Sequence, residues 1–263
     1  MTEKKFKFST CENLAEEMPI IIQGPTTYCK EVHEYYKNYI QVWSTWNSEP
    51  EENLEYLDKQ DNVHLVLDDL PQIPESQLSY LTEHASWTLQ RATYQFTSTL
   101  NGFKYADHKF GLDFAPKIRS DFLIDLSSSM RKWDIDAFNS IGWHTGSVGY
   151  FVDYFFAAKI PDIITLMEGC LSLKHPSHSE NILTYFLLEK MKKRNIKYCF
   201  DGTVYTYSLK HKYTTDLFLG EISKGKWIID EDQKHISTNF NHSFELDNLP
   251  DIYPLTYGWG PGV

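Results

Sequence analysis

The chain has 263 residues, with 25 Lys and Arg against 36 Asp and Glu, a formal charge of −11. That balance argues against a general nucleic-acid binder, because phosphate backbones are held by basic surfaces. A composition of 41% hydrophobic and 23% charged residues belongs to a folded globular protein and argues against disorder. No apolar run approaches the roughly 20 residues of a membrane span. The basic start, Met1 to Lys7, has no apolar stretch behind it, so a secretory leader is not expected. Cys11, Cys29, Cys170 and Cys199 are scattered with no C-x-x-C pair, which fits a reducing, cytoplasmic location better than a disulfide framework or a zinc site.

No repeat or linker interrupts the chain, and one continuous domain over 1–263 is expected. Pro19-Ile20-Ile21-Ile22-Gln23, ended by Gly24-Pro25, has the β-branched composition of a buried strand before a turn. Thr27 to Tyr39 carries Val32, Tyr35, Tyr36 and Tyr39 at helical spacing behind a Thr cap. Ile40 to Ser44 reads as a second strand. Ser48-Glu49-Pro50-Glu51 reads as a capping box opening a helix to Asp58, and Val63 to Leu67 as a third strand closed by Asp68-Asp69. A long helix from about Ser76 or Ser86 is expected to stop at Asn101-Gly102. Phe114 to Asp121 follows as a strand with a polar end, then helices over Pro161 to Leu171 and Ser179 to Arg194. From Thr203 to Asp230 the alternation is that of strands, with Lys224-Gly225 as a hairpin turn.

Strand and helix alternating over so short a stretch predicts right-handed βαβ crossovers: an α/β fold with a mostly parallel sheet flanked by helices and an antiparallel C-terminal addition. Ligands of such sheets bind at the carboxyl ends of the strands. That rule singles out Gln23-Gly24-Pro25-Thr26, Ser44-Thr45-Trp46 and Asp68-Asp69. The first loop offers backbone donors and an amide, and Gly24 permits close approach, although a tight turn needs only the Gly-Pro. Asp68 or Asp69 can accept from a nucleoside or simply cap a helix. Trp43 and Trp46 lie on opposite faces, so one ring belongs to the core and the other to the site. Arg119-Ser120-Asp121 ends a strand where a carboxylate can hold a divalent cation against a diphosphate, the alternative being a structural ion pair.

Taken in order, Ile20-Ile21-Ile22-Gln23-Gly24-Pro25, Val42-Trp43-Ser44-Thr45-Trp46, Leu89-Gln90-Arg91 with Ser98-Thr99-Leu100-Asn101-Gly102, Lys117-Ile118-Arg119-Ser120-Asp121 and Asp153-Tyr154-Phe155-Phe156 resemble the WavE family of lipopolysaccharide-synthesis proteins. That family is one of glycosyltransferases of bacterial surface-polysaccharide loci, with relatives in giant viruses. The resemblance runs from about Pro19 to Ile164. It departs where Ala92-Thr93-Tyr94 stretches the third motif and where Ala157-Ala158 replaces a Phe-Gly pair.

The resemblance implies a GT-A-like fold with a nucleotide-binding half at 19–125 and an acceptor-side half at 126–263, a nucleotide-sugar donor, a glycan or lipid-linked acceptor, and a nucleotide-binding role for Arg91. Enzymes of that fold often hold Mn²⁺ or Mg²⁺ with an Asp-x-Asp. Here Arg119 stands at the first position, leaving Asp121 for the metal and Arg119 for either the diphosphate or a neighbouring acid. The general base of an inverting transfer is expected from Asp153, in the family-like segment, or from Glu180, after Ser177-His178-Ser179; an acid at a helix start also serves the helix dipole. A sugar-phosphate nucleotidyltransferase is disfavoured, since a lone Gly24 replaces the Gly-rich phosphate loop. A catalytically silent nucleotide-sugar or glycan binder is the alternative from another class. His175-Pro176-Ser177-His178 lacks a third ligand for zinc. Ser127-Ser128-Ser129 lacks the G-x-S-x-G of a serine hydrolase. The cluster Lys190, Lys192, Lys193, Arg194 and Lys197 is either a helix C-terminal charge effect or a contact for an anionic membrane surface.

Overall fold

The computed structural model describes residues 18–79, 81–130, 133–145, 148–173, 179–187, 191, 196–198, 206–208 and 213–214. The parallel half is laid down first: β1 (Ile20–Gln23), α1 (Cys29–Tyr35), β2 (Gln41–Trp46), α2 (Glu51–Asp58), β3 (Val63–Asp68), a short α3 (Glu75–Leu78), the long α4 (Glu83–Phe110) and β4 (Phe114–Arg119). Then come β5 (Phe122–Ile124), α5 (Leu126–Met130), β6 (Phe138–Thr145), β7 (Val148–Lys159), α6 (Ile160–Leu173), α7 (Ser179–Tyr185), β8 (Ile196–Tyr198), β9 (Thr206–Ser208) and β10 (Tyr213–Thr214). The main sheet has the order β3-β2-β1-β4-β7-β6-β8, with β4-β7 and β7-β6 antiparallel and the other pairs parallel. A small sheet, β10-β9-β5, is antiparallel. The protein is therefore α/β, with a mostly parallel mixed sheet flanked by helices. Among the described residues no helix is long and apolar enough to cross a membrane.

Burial explains the strands. Ile20, Ile21 and Ile22 are fully buried because β1 is central and covered on both faces, as parallel strands are. On one face Ile21, Ser44 and Phe156 meet α4: a side chain at Gly102 would come within 2.7 Å of Ile21, and Phe103 stacks on Phe156 at 6.3 Å. Trp43 packs on the other face, its Nε1 donating to Gln41 Oε1 at 3.0 Å. The Gln41 amide in turn donates to the carbonyl of Tyr36 at 2.9 Å, tying the end of α1 to β2. The Tyr36 hydroxyl donates to Ile124 O and accepts from Ile124 N, at 3.2 and 2.7 Å, which joins the same helix end to β5.

Four expectations are corrected. The first helix ends at Tyr35 and begins with a 3₁₀ turn (Thr26–Tyr28), and its entry carries no side-chain cap. The capping box does not form: Pro50 is the N-cap of α2 without a side-chain bond, and Glu49 turns instead to Thr26. The long helix does not stop at Asn101-Gly102. It is capped by the Thr82 hydroxyl, which accepts from Ala85 N at 3.2 Å, and it ends at the left-handed Gly111, with φ 61°. Asn101 and Gly102 have tertiary reasons for lying inside it: Asn101 donates to Asp68 at 2.7 Å, and Gly102 admits the sheet. The helix opening at Ser179 has a last turn at Tyr185, and a strand occupies 196–198. Most of 203–230, including Lys224-Gly225, lies outside the described residues, as do His175, His178 and most of the basic cluster at 190–197.

Candidate functional site

The order 3-2-1-4 makes β1 the point where the chain turns from building one side of the sheet to building the other, and the crevice beyond such a switch point is a natural ligand site. At the β1 tip Gly24 takes φ 128°, a conformation that favours glycine, and an added Cβ there would lie 2.6 Å from Ser120 Oγ. Ser120 laces the two tips together: its N–H donates to Gln23 O at 2.9 Å and its hydroxyl to Pro25 O at 2.7 Å. Because β7 is antiparallel to β4, its early residues arrive at this same end and bring Asp153 beside Arg119.

A cleft of about 750 Å³ opens here. Gln23, Gly24, Pro25, Arg91, Arg119, Asp121, Asp153 and Glu180, eight of the residues singled out in the sequence, all line it. Five others do not. Thr26 is fully buried, with its N–H and hydroxyl both donating to Glu49 Oε2 at 2.8 Å. Ser44 is buried and donates to Ser98 O at 2.6 Å. Thr45 is buried beneath the tips, Asp68 accepts from Asn101, and Asp69 accepts from Asn47 at 3.0 Å on the surface. These five lie outside the cleft: Thr26 ties the first loop to Glu49 and α2, Ser44 and Asp68 tie the sheet to α4, Asp69 braces the loop after β2, and Thr45 is interior. Of the two tryptophans, Trp43 is core and Trp46 lines the cleft, as the alternation of faces requires.

Of the wall supplied by α4 the sequence reading named only Arg91. Trp87, Thr88, Arg91, Tyr94 and Gln95 recur at helical spacing and line the cleft as one stripe. The Arg91 guanidinium lies 4.5 Å over the Trp87 ring. The signal was the i, i+4, i+8 series Trp87-Arg91-Gln95 at the start of a long helix, which reads equally as a solvated face until the sheet's position is known.

Charge at the floor is concentrated around Arg119. Its Nε and Nη2 donate to the two carboxylate oxygens of Asp121 at 2.9 and 2.6 Å, and its Nη1 to Asp153 at 3.3 Å. The guanidinium also lies over Tyr154, itself stacked on Phe122. Held by these two acids, Arg119 stays protonated in spite of its burial. Burial alone would raise the Asp153 carboxyl; the charges of Arg119 and Lys117, with hydrogen bonds from Gln95 and Arg119, hold it below the ordinary carboxylate range. Glu180 is the opposite case. Burial and the charge of Asp153 push its carboxyl up to about 7. Ser179 Oγ stands between the two acids, 3.4 Å from Asp153 and 3.1 Å from Glu180. Beneath them Lys117, fully buried, donates its ammonium to the Asp153 carbonyl, and burial lowers it to about 7.

The donor set fits a cation that arrives on a ligand better than one caged by the protein. Among the described residues no three His, Cys, Asp or Glu side chains converge on one point, and Asp121 already spends both oxygens on Arg119. The lining nevertheless carries four carboxylates, Glu49, Asp121, Asp153 and Glu180, against the two guanidiniums of Arg91 and Arg119. An anion entering alone would meet an acid-rich wall, whereas a divalent cation bound to it would relieve that charge, with Asp121 as the acid at the strand tips. No protein-family model matches this chain, and no curated protein matches it.

Proposed function

We propose that the cleft takes a nucleotide sugar and transfers its glycosyl group to a hydroxyl of a glycan or lipid-linked acceptor, as an enzyme of GT-A type. One observation carries the reading: Gly24 at the β1 tip, the Arg119-Asp121 pair at the β4 tip and two carboxyls of opposed acidity converge in one cleft at the switch point of the sheet. This is where the sequence resemblance to WavE glycosyltransferases expects a diphosphate.

In this reading the Gln23-Gly24-Pro25 turn and Arg91 hold the nucleoside, and Arg119 and Asp121 face the diphosphate. Mn²⁺ or Mg²⁺ on the diphosphate, held by Asp121, would supply charge neutralisation for the leaving group. The acceptor oxygen bonds to the anomeric carbon as the bond from that carbon to the phosphate oxygen breaks, and the nucleoside diphosphate departs with the electron pair. In an inverting transfer the hydroxyl proton passes to Glu180. The environment separates the two expected bases: Asp153 is pinned ionised by Arg119 and fixes the guanidinium, while Glu180 has an affinity for protons suited to general-base work near neutrality. The enzyme works on the cytoplasmic side, where nucleotide sugars are made, at or near a membrane surface when its acceptor is lipid-linked.

A catalytically silent nucleotide-sugar binder is the second reading, favoured by the bidentate closure of Asp121 on Arg119. Incubation with UDP-, GDP-, CMP- and dTDP-sugars, with and without Mn²⁺, separates the two. Release of the nucleotide from one donor, accelerated by acceptor, supports the enzyme. Binding of a donor without release supports the binder, and no binding of any donor rejects both.

A further inference from the structure

We propose that Gln23 is the base-reading residue of the cleft, its amide left unsatisfied by the fold so that the edge of a nucleobase stacked on the α4 wall completes it. The inference rests on the nucleotide reading above and deepens it. Gln23 is 7% exposed, its side chain lines the cleft, and its amide oxygen is buried with no hydrogen-bond partner among the described residues. Gln41, on the neighbouring strand, shows what this fold does with a glutamine it uses structurally. The Gln41 amide donates to the carbonyls of His33 and Tyr36 and accepts from the Trp43 indole. A buried amide oxygen left without a partner loses its hydration with nothing returned, and such groups are rare enough to call for a reason.

The surroundings indicate the missing partner. Ser44 Oγ bonds to Ser98 O, and Gly102 rests against Ile21, so α4 lies along the sheet and its earlier turns run out past the β1 tip. Those turns present Tyr94, in edge contact with Trp46 at 5.9 Å, and Trp87. Trp87 is 48% exposed, a large exposure for an indole. Arg91, stacked on Trp87, has no carboxylate partner among the described residues. Aromatic side chains and an amide that line one cleft suit a flat heterocycle whose edge carries a donor next to an acceptor, the chemistry of a nucleobase. The last torsion of a glutamine is broad and two-fold, so the amide can turn to present its oxygen or its nitrogen to such an edge. The phosphates belong with Arg119 and Asp121 at the neighbouring β4 tip, where Arg119 pairs in register with Gln23.

The test uses Gln23→Met, which keeps the length and removes the amide, and Trp87→Ala. Melting is followed without ligand, and binding is measured by calorimetry in Mn²⁺ with UDP, GDP, CDP, ADP and dTDP, with inorganic pyrophosphate as the base-free probe. Gln23→Met is expected to melt higher than wild type by roughly 2–4 °C, because a stranded polar group is gone. It is expected to bind the preferred nucleoside diphosphate at least tenfold more weakly and pyrophosphate as before. Trp87→Ala is expected to show the same selective loss. A lower melting temperature for Gln23→Met, or unchanged nucleotide binding in either variant, overturns the inference. If wild type releases nucleotide from a sugar donor while Gln23→Met binds nucleotide normally, the inference fails and the transferase reading stands. If nucleotide binding depends on Gln23 but no donor is turned over, the inference stands and the transferase reading fails.

Discussion

Arg119 joins two acids with different work to do. Its bidentate bond to Asp121 closes the β4 tip, and its third nitrogen holds Asp153 ionised, whose charge adds to burial in raising Glu180. If Glu180 must be deprotonated to accept the acceptor's proton, the rate should climb with pH through about 7, far above the range of an ordinary glutamate. Glu180→Gln should lose roughly 10²–10⁴-fold in rate and should lose that limb, as read from pH profiles of nucleotide release. Lys117 gives a prediction that needs no substrate. Its ammonium loses protons near 7 in the folded protein and near 10.5 when unfolded, so between those values the unfolded chain binds more protons and stability rises with pH. Lys117→Met should remove that rise, at most about 1.4 kcal/mol per pH unit, in urea titrations between pH 7 and 10. An unchanged slope in the variant would mean that Lys117 stays charged in its buried place.

At the scale of elements, α4 decides the site. It packs closely on β1 and β2 because residue 102 is glycine, and an added methyl there would meet Ile21 at 2.7 Å and Ser44 at 3.1 Å. Alanine favours a helix interior over glycine by about 1 kcal/mol, so Gly102→Ala on an open surface would stabilise. Here overpacking should win and cost roughly 1–3 kcal/mol in denaturant unfolding. Stabilisation would show that α4 can shift away from the sheet. The same glycine shows why part of the fold was illegible. Asn-Gly is a sound local stop signal, and only the sheet beneath reveals that it serves close packing. The parallel strands were readable because β-branched runs such as Ile20-Ile21-Ile22 carry their own period and length, and the Arg119-Ser120-Asp121 tip was readable for its place at a strand end. What makes Ser44, Thr45, Asp68 and Asp69 structural was not readable, since each is disqualified by a partner or a burial set by distant chain. The antiparallel β7, which delivers Asp153, was legible in principle from the Gly146-Ser147 pair between two strand-like runs, a signal the sequence reading passed over.

Over the whole molecule, a chain with a net charge of −11 places four carboxylates and two guanidiniums around the opening proposed to receive a diphosphate. Electrostatics alone disfavours a bare anion at such an address, so nucleoside diphosphate affinity should rise at least tenfold when Mn²⁺ or Mg²⁺ is added, and Asp121→Ala should lose most of that gain. Calorimetry with and without the metal reads both, and equal affinity in the two conditions would remove the cation from the scheme. The account depends above all on where the diphosphate binds. A crystal structure of the protein with its preferred nucleoside diphosphate and Mn²⁺ locates it directly. The account predicts the pyrophosphate between Gly24 and the Arg119-Asp121 tip, with the base toward Gln23 and Trp87. Nucleotide bound elsewhere on the molecule, with that crevice empty at saturating ligand, would contradict it.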